Sequence, residues 1–134
     1  LNGVDTNIIQ TLKYLAQKKR LCLISNADVI DKIGWESSPL REYFDETIFS
    51  CDVGVVKPDT DIYIVALERM KVEAEKTLFI GDGGSQELAG AKSVGINTGL
   101  VTHFIKTIYP QKINRLAKDA DIVINEFEEL KKLL

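Results

Sequence analysis

The chain has 134 residues, of which 45% are hydrophobic and 28% charged, and its formal net charge is −3. This size and composition are those of one globular domain that can bury a core. The mild charge argues against nucleic-acid binding, and no apolar run approaches the roughly 20 residues that a membrane helix needs. Two cysteines, Cys22 and Cys51, do not make a disulfide framework, so we predict a reduced, cytoplasmic protein.

Short apolar runs alternate with helical patterns along the chain, which is typical of βαβ units. The predicted strands are 21–25, 46–50, 77–80, 97–101 and 120–124. The first predicted helix is capped at Asp5 or Thr6, and the second starts at about Asp28 and breaks at 34–39. The third runs from 57–59 to about Lys71, and the fourth is capped by Ser85 and ended by a left-handed Gly95. The fifth runs from Pro110 to Ala117, and the last covers 126–134. We therefore predict an α/β fold over 1–134: a Rossmann-like, mainly parallel sheet with helices on both faces.

Polar side chains stand where two of these strands end and where one helix begins. The first strand ends at Ser25 and is followed by Asn26. The third is followed by Asp82 in a Gly-Asp-Gly-Gly turn, and Lys57 stands at the entry to a helix. Such sheets bind ligands at the carboxyl ends of their strands, and a hydroxyl, an ammonium and a carboxylate converging there suit a phosphate with Mg²⁺. Taken singly, Ser25 and Asp82 could be helix caps and Lys57 a solvated lysine.

Three segments together resemble the haloacid dehalogenase-like hydrolase superfamily, whose members are mostly phosphatases. The counterparts of its second, third and fourth motifs are Leu23-Ile-Ser-Asn-Ala27, Val56-Lys-Pro-Asp59 and Ile80-Gly-Asp-Gly-Gly-Ser-Gln-Glu-Leu-Ala-Gly-Ala91. The resemblance implies that Ser25, Asn26 and Lys57 bind the phosphate of a small phosphorylated metabolite. It also implies that Asp82 ligates Mg²⁺, with Glu87 as a further ligand or a partner through water.

The first motif of that superfamily, Asp-x-Asp after an early strand, is not found in this sequence. By resemblance its first aspartate would be the nucleophile that becomes an aspartyl-phosphate, and its second the general acid/base. The two Asp-x-Asp matches, Asp59-Thr-Asp61 and Asp119-Ala-Asp121, open a helix and precede a strand, so we interpret them as structural. Because the chain begins at Leu1, we expect the first strand and a cap domain to lie upstream, and the isolated chain to be inactive.

In the superfamily the absent strand sits in mid-sheet, between the strands that end at Ser25 and Asp82. Without it, two apolar strand edges lack partners. We predict that this gap is closed by direct pairing of the two strands, by exchange between chains in a homo-oligomer, or by a separate upstream fragment.

Other functions fit parts of the pattern. Metal-free carbon–halogen hydrolysis occurs in the same superfamily, but Asp82 has no obvious use there without a metal. A non-catalytic fragment or interaction domain with a residual phosphate and Mg²⁺ site would account for the absent aspartates. A dinucleotide-binding fold is disfavoured because Gln86 stands where the third glycine of its fingerprint belongs.

Overall fold

A computed structural model of the chain describes residues 6–26, 29–54, 57 and 59–134. The strands in these ranges are β1 (Cys22–Ser25), β2 (Glu46–Phe49), β3 (Leu78–Gly81), β4 (Asn97–Val101) and β5 (Ile122–Ile124). The α-helices are α1 (Thr6–Ala16), α2 (Val29–Glu36), α3 (Ser50–Val53), α4 (Thr60–Met70), α5 (Glu87–Ser93), α6 (Ile105–Ile108), α7 (Ile113–Ala117) and α8 (Leu130–Leu133). Within the described ranges, none of the helices combines the length and the apolar character that crossing a membrane requires.

The strands form two parallel sheets. In the first, β1 pairs with β2, from Cys22 opposite Glu46 to Ser25 opposite Phe49. In the second, β4 lies between β3 and β5. Among the described residues no ladder joins β1 to β3, so direct pairing, one of the three predicted ways of closing the gap, is not found. One edge of β1 and one edge of β3 therefore lack a strand partner in the part of the chain that is described.

The two sheets share a core on one face, where helices connect them. There α4 packs on β1, β2 and α5, while α5 packs on β3 and β4. Ile62 and Tyr63 of α4 are fully buried beside Ala91 of α5, and Ile24 of β1 and Phe79 of β3 pack against the same cluster. The apolar area buried in this shared layer ties the sheets together without strand pairing, because hydrophobic burial requires no hydrogen-bond register.

A second layer of helices covers the opposite face. Leu15 of α1 and Leu130 of α8 are buried there, and Leu21, next to β1, and Ile80 of β3 pack against them. Neighbouring residues of β3 thus face opposite layers, as the alternation of side chains along a strand requires. The predicted α/β architecture, parallel strands with helices on both faces, is confirmed.

Several element boundaries agree with prediction and others do not. The strand 97–101 matches β4, and Gly95 has the expected left-handed conformation, with φ of +89°. The break predicted at 34–39 falls later, because α2 continues through Gly34 to Glu36. Trp35 explains the extra turn: it is buried edge-to-face between Phe44 and Phe49. The predicted start at Asp28 lies outside the described residues.

Ser85 does not cap the following helix, which corrects the sequence prediction. Its φ is +55° and that of Gln86 is +53°, so both residues are left-handed, and α5 begins only at Glu87. Neither residue is glycine, so the two conformations carry local backbone strain. The contacts of the Glu87 side chain, described below, hold the start of the helix in this place.

Both Asp-x-Asp matches have structural roles, as the sequence indicated. Asp59 is the N-cap of α4, and its side chain accepts a hydrogen bond from the Asp61 N–H at 2.9 Å. Asp121 connects β4 to the start of β5: its carboxylate accepts from the Thr98 N–H at 2.8 Å and pairs with Lys92 at 3.0 Å.

These contacts of Asp121 predict that acid weakens the fold. The hydrogen bond from the Thr98 amide, reinforced by Lys92, holds the pKa of Asp121 below its usual 3.8. A carboxyl group with a lowered folded-state pKa stabilises the fold above its unfolded pKa, and that contribution is lost as pH falls through the folded value. Asp121→Asn should therefore lower the free energy of unfolding at about pH 7, and the difference from the unchanged chain should shrink toward about pH 3. Urea unfolding measures both values, and an equal difference at the two pH values would contradict the prediction.

Candidate active site

Lys57 connects the carboxyl ends of the two sheets. Its backbone N–H donates to Asn26 Oδ1 at 2.7 Å, directly after β1. Its Nζ lies 2.7 Å from Oε1 of Glu87, the first residue of α5. The side chains of this ion pair are only 13% and 7% exposed. The structure thus brings Asn26, Lys57 and Glu87 together at the edge where the sequence predicted that Ser25, Lys57 and Asp82 converge.

Glu87 is held by contacts at every polar atom. Its Oε1 accepts a hydrogen bond from Lys57 Nζ, and its Oε2 accepts one from the Gly83 N–H at 3.1 Å. Its main-chain oxygen accepts from the Tyr63 hydroxyl at 2.8 Å, in the buried core. Burial raises the pKa of Tyr63, with the charge of Glu87 adding to the effect, so this phenol stays protonated as a donor. Sequence reasoning missed Tyr63, because its position on the inner face of a helix indicates only core packing.

The ammonium of Lys57 lies over an aromatic ring. Its Nζ is 5.7 Å from the ring centroid of Phe79, and Phe79 in turn packs edge-to-face on Tyr63 with centroids 5.6 Å apart. A cation over a ring face is attracted by the ring quadrupole. Phe79, packed edge-to-face on Tyr63, thus covers one side of the ammonium group.

Two glycines make room for this arrangement. A Cβ at Gly81 would overlap Glu87 Oε2 and come within 2.7 Å of its Cδ. Gly83 has a φ of +91°, and a Cβ there would lie 2.8 Å from Leu116 Cδ1. The Gly-Asp-Gly sequence is therefore required by the close approach of a carboxylate on one side of Asp82 and by backbone conformation on the other.

Asp82 is exposed at the carboxyl end of β3. Its Oδ1 accepts from the Gly84 N–H at 3.0 Å, which orients the carboxylate within the turn. It does not cap α5, which begins five residues later without a side-chain cap. An exposed carboxylate on a fixed turn is a hard oxygen donor, the kind of ligand that Mg²⁺ prefers.

The described residues do not form a metal site by themselves. In that portion of the chain, no three Asp, Glu, His or Cys side chains cluster in a way that could hold a metal ion. Mg²⁺ takes about six oxygen ligands in octahedral geometry, usually one or two carboxylates plus water and phosphate. Asp82 fits as one of those carboxylates. Glu87 has Lys57 and the Gly83 amide on its two oxygens, so its geometry is that of an anchor for Lys57.

Ser25 is the last residue of β1 and is partly buried, next to Asn26.

A cavity of about 630 Å³ opens on the other flank of the candidate site, lined by the Asp82 turn, α6 and α7. Phe104 and Tyr109, two of its lining residues, are 61% and 50% exposed. The helix α6 in this wall was not predicted, because four residues are too few to show a helical period.

Comparison with known proteins agrees with the fold. The sequence model of the family described as haloacid dehalogenase-like hydrolase matches residues 4–95. The chain belongs to this family.

Among its relatives is the glyceraldehyde 3-phosphate phosphatase of Methanothermobacter thermautotrophicus, 30% identical over 96% of this chain and 57% of the relative. A HAD phosphatase structure from Thermococcus onnurineus superposes with a TM-score of 0.82 at 28% identity, covering 97% of this chain and 57% of its own. A 2-haloacid dehalogenase structure from Pseudomonas syringae pv. tomato superposes with a TM-score of 0.74 at 26% identity, covering 97% of this chain and 52% of its own. The chain thus spans little more than half the length of these proteins.

The close approach at Gly81 predicts that a single methyl group disturbs the site. In Gly81→Ala the new Cβ must displace the Glu87 carboxylate or shift the strand, and such overpacking costs about 1–3 kcal/mol. The matched control is Gly34→Ala in α2, where a Cβ has no neighbour within 4 Å and should be neutral or stabilise the helix by up to about 1 kcal/mol. Urea unfolding of both variants measures the difference; a Gly81 variant as stable as the Gly34 variant would show that the carboxylate is not fixed there.

Proposed function

We propose that this chain carries the phosphate-binding half, and one metal ligand, of a Mg²⁺-dependent phosphatase that cleaves a small phosphomonoester through an aspartyl-phosphate. The observation that supports this most is the buried Lys57–Glu87 pair beside the exposed carboxylate of Asp82. The similarity to a glyceraldehyde 3-phosphate phosphatase supports a small phosphorylated metabolite as substrate.

In this proposal Lys57 neutralises the charge of the transferring phosphate. An ammonium group has three donors, and Glu87 takes one of them, which leaves donors for phosphate oxygens. The burial of the Lys57 side chain strengthens its attraction for an anion, since charges interact more strongly away from water. The Ser25 hydroxyl, at the end of β1, donates to another phosphate oxygen.

Asp82 would hold Mg²⁺, and the bound ion would supply Lewis-acid neutralisation of the phosphate charge. We assign Glu87 to fixing Lys57, since both of its oxygens are engaged; any contact it has with the metal then passes through water. The remaining protein ligands come from outside the described residues.

The nucleophilic aspartate, in this proposal, comes from a further parallel strand that lies between β1 and β3. Each of these strands has an edge without a strand partner among the described residues, and helical layers above and below span the interval. A strand placed there would end between Ser25 and Asp82, beside the proposed phosphate position. The chain would then be one core domain whose sheet is completed by an upstream segment.

Two other functions remain as alternatives. The dehalogenase among the structural neighbours makes carbon–halogen hydrolysis a candidate. The orientation of Asp82 by the Gly84 amide favours a metal-dependent reaction instead, because a metal-free reaction gives that carboxylate no role. A non-catalytic protein with a residual phosphate and Mg²⁺ site is the other candidate, and turnover distinguishes it.

The phosphatase proposal predicts separate outcomes for binding and for turnover. By calorimetry, the 134-residue chain should bind inorganic phosphate only when Mg²⁺ is present. In Asp82→Asn, adding Mg²⁺ should no longer promote phosphate binding. A longer polypeptide that includes the upstream segment should release phosphate from 4-nitrophenyl phosphate or glyceraldehyde 3-phosphate. Asp82→Asn should slow this release by about 100-fold or more, because the Mg²⁺ that Asp82 would hold contributes several kcal/mol of transition-state charge stabilisation. Asp82 is the right position to vary because it is exposed, whereas removing one partner of the buried pair costs about 3–5 kcal/mol.

Each alternative gives a different result in the same assays. Halide release from 2-chloropropionate without Mg²⁺ would establish the dehalogenase reaction. Mg²⁺-dependent phosphate binding without turnover in the longer polypeptide would establish the non-catalytic protein. Phosphate release that does not respond to Mg²⁺ or to Asp82→Asn would refute the proposed role of this carboxylate.

If an upstream strand pairs with β1 and β3, hydrogen exchange should detect it. In the 134-residue chain, amides on the open edges of β1 and β3 should exchange rapidly, and in the longer polypeptide they should slow by at least about tenfold as a ladder forms. Amides of β5 serve as the internal control, since this strand is an edge in both cases. Equal protection of β1 and β3 in the two polypeptides, with the shorter one monomeric by light scattering, would refute the proposal. Protection with a dimer would indicate exchange between chains instead.

A further inference from the structure

We propose that Asn26 is a positioning residue for Lys57 and does not itself bind the phosphate. Both polar atoms of its side chain face the backbone of Lys57. Its Oδ1 accepts from the Lys57 N–H at 2.7 Å, and its Nδ2 donates to the Lys57 carbonyl oxygen at 3.3 Å. The inference rests on the proposed function only for the role given to Lys57.

The amide of Asn26 takes the place that a neighbouring strand would have. Lys57 stands in a turn, so its N–H and C=O do not have the acceptor and the donor that a β-ladder partner normally offers. A side-chain amide offers both groups at once, whereas a carboxylate offers only acceptors. Asparagine is therefore the side chain that can satisfy Lys57 in both directions.

Two anchors then hold Lys57, one at each end. Asn26 fixes its backbone and Glu87 fixes its ammonium group. Lys57 lies in the connection between α3 and α4, outside any strand or helix, so no regular hydrogen-bond ladder fixes it. Because Asn26 directly follows Ser25, the same two hydrogen bonds also set the separation between the hydroxyl and the ammonium group that we assign to the phosphate.

Asn26→Ala in the 134-residue chain tests this, with Asn97→Ala as the matched control. The Asn97 side chain also bonds to main-chain groups, donating to the carbonyls of Glu75 and Thr77 at 2.9 and 3.1 Å, but at the start of β4, the opposite end of the sheet. Without ligand, Asn26→Ala should speed hydrogen exchange at the Lys57 amide by about fivefold or more, the order expected for losing one hydrogen bond, and Asn97→Ala should not. Asn26→Asp keeps the acceptor and should retain most of the protection.

Binding of inorganic phosphate with Mg²⁺ gives the second measurement. Asn26→Ala should weaken it by about tenfold through misplacement of Lys57, and Asn97→Ala should leave it unchanged. Weaker phosphate binding with an unchanged Lys57 amide would overturn the inference and make Asn26 a direct ligand. If Asn26→Ala changes neither the exchange of the Lys57 amide nor phosphate binding, the inference is overturned as well. If even the unchanged chain fails to bind phosphate while the Lys57 amide loses protection in Asn26→Ala, the proposed function fails and the anchoring of Lys57 stands.

Discussion

The ion pair between Lys57 and Glu87 is the interaction on which the carboxyl edge of this protein depends. Burying it is costly, and such a pair is tolerated only when the remaining polar atoms have partners. Here those partners are the Gly83 amide, the Tyr63 hydroxyl and the amide of Asn26. The pair therefore explains features that otherwise look unrelated: the glycine before Asp82, a buried tyrosine, and a helix that begins after two left-handed residues.

The second constraint is the division of the strands into two sheets. The helices on both faces hold β1 and β3 in separate sheets, and the contacts of Lys57 connect the carboxyl ends of those sheets across the interval. A phosphate bound at this edge would face groups that come from both sheets: Ser25 and Lys57 from one side, and Asp82 from the other. This arrangement supports the proposal that catalysis needs a strand in the interval, because the described residues bring no nucleophile to that position.

The sequence predicted the layers of the fold and the edge at which polar residues lie, because both follow from local patterns. Apolar runs mark strands, and polar residues at strand ends in a parallel sheet must share an edge. The roles of Tyr63 and Phe79 could not be predicted, since a core aromatic and an aromatic beneath a lysine have the same pattern. The failed capping role of Ser85 has a similar cause. The ion pair between Lys57 and Glu87 joins residues 30 positions apart in sequence. It fixes the start of α5 at Glu87, against the local preference of serine for the N-cap position.

Lys57, which Glu87 anchors, is the residue that we propose binds the phosphate together with Ser25 and Asp82. The most direct measurement is a crystal structure of the 134-residue chain grown with Mg²⁺ and tungstate, whose anomalous signal locates the anion without ambiguity. We expect one tungstate within hydrogen-bond distance of Lys57 Nζ and Ser25 Oγ. Mg²⁺ should lie on Asp82, and Glu87 should still be paired with Lys57. A tungstate bound elsewhere, or Lys57 turned away from the anion toward Glu87 alone, would contradict it.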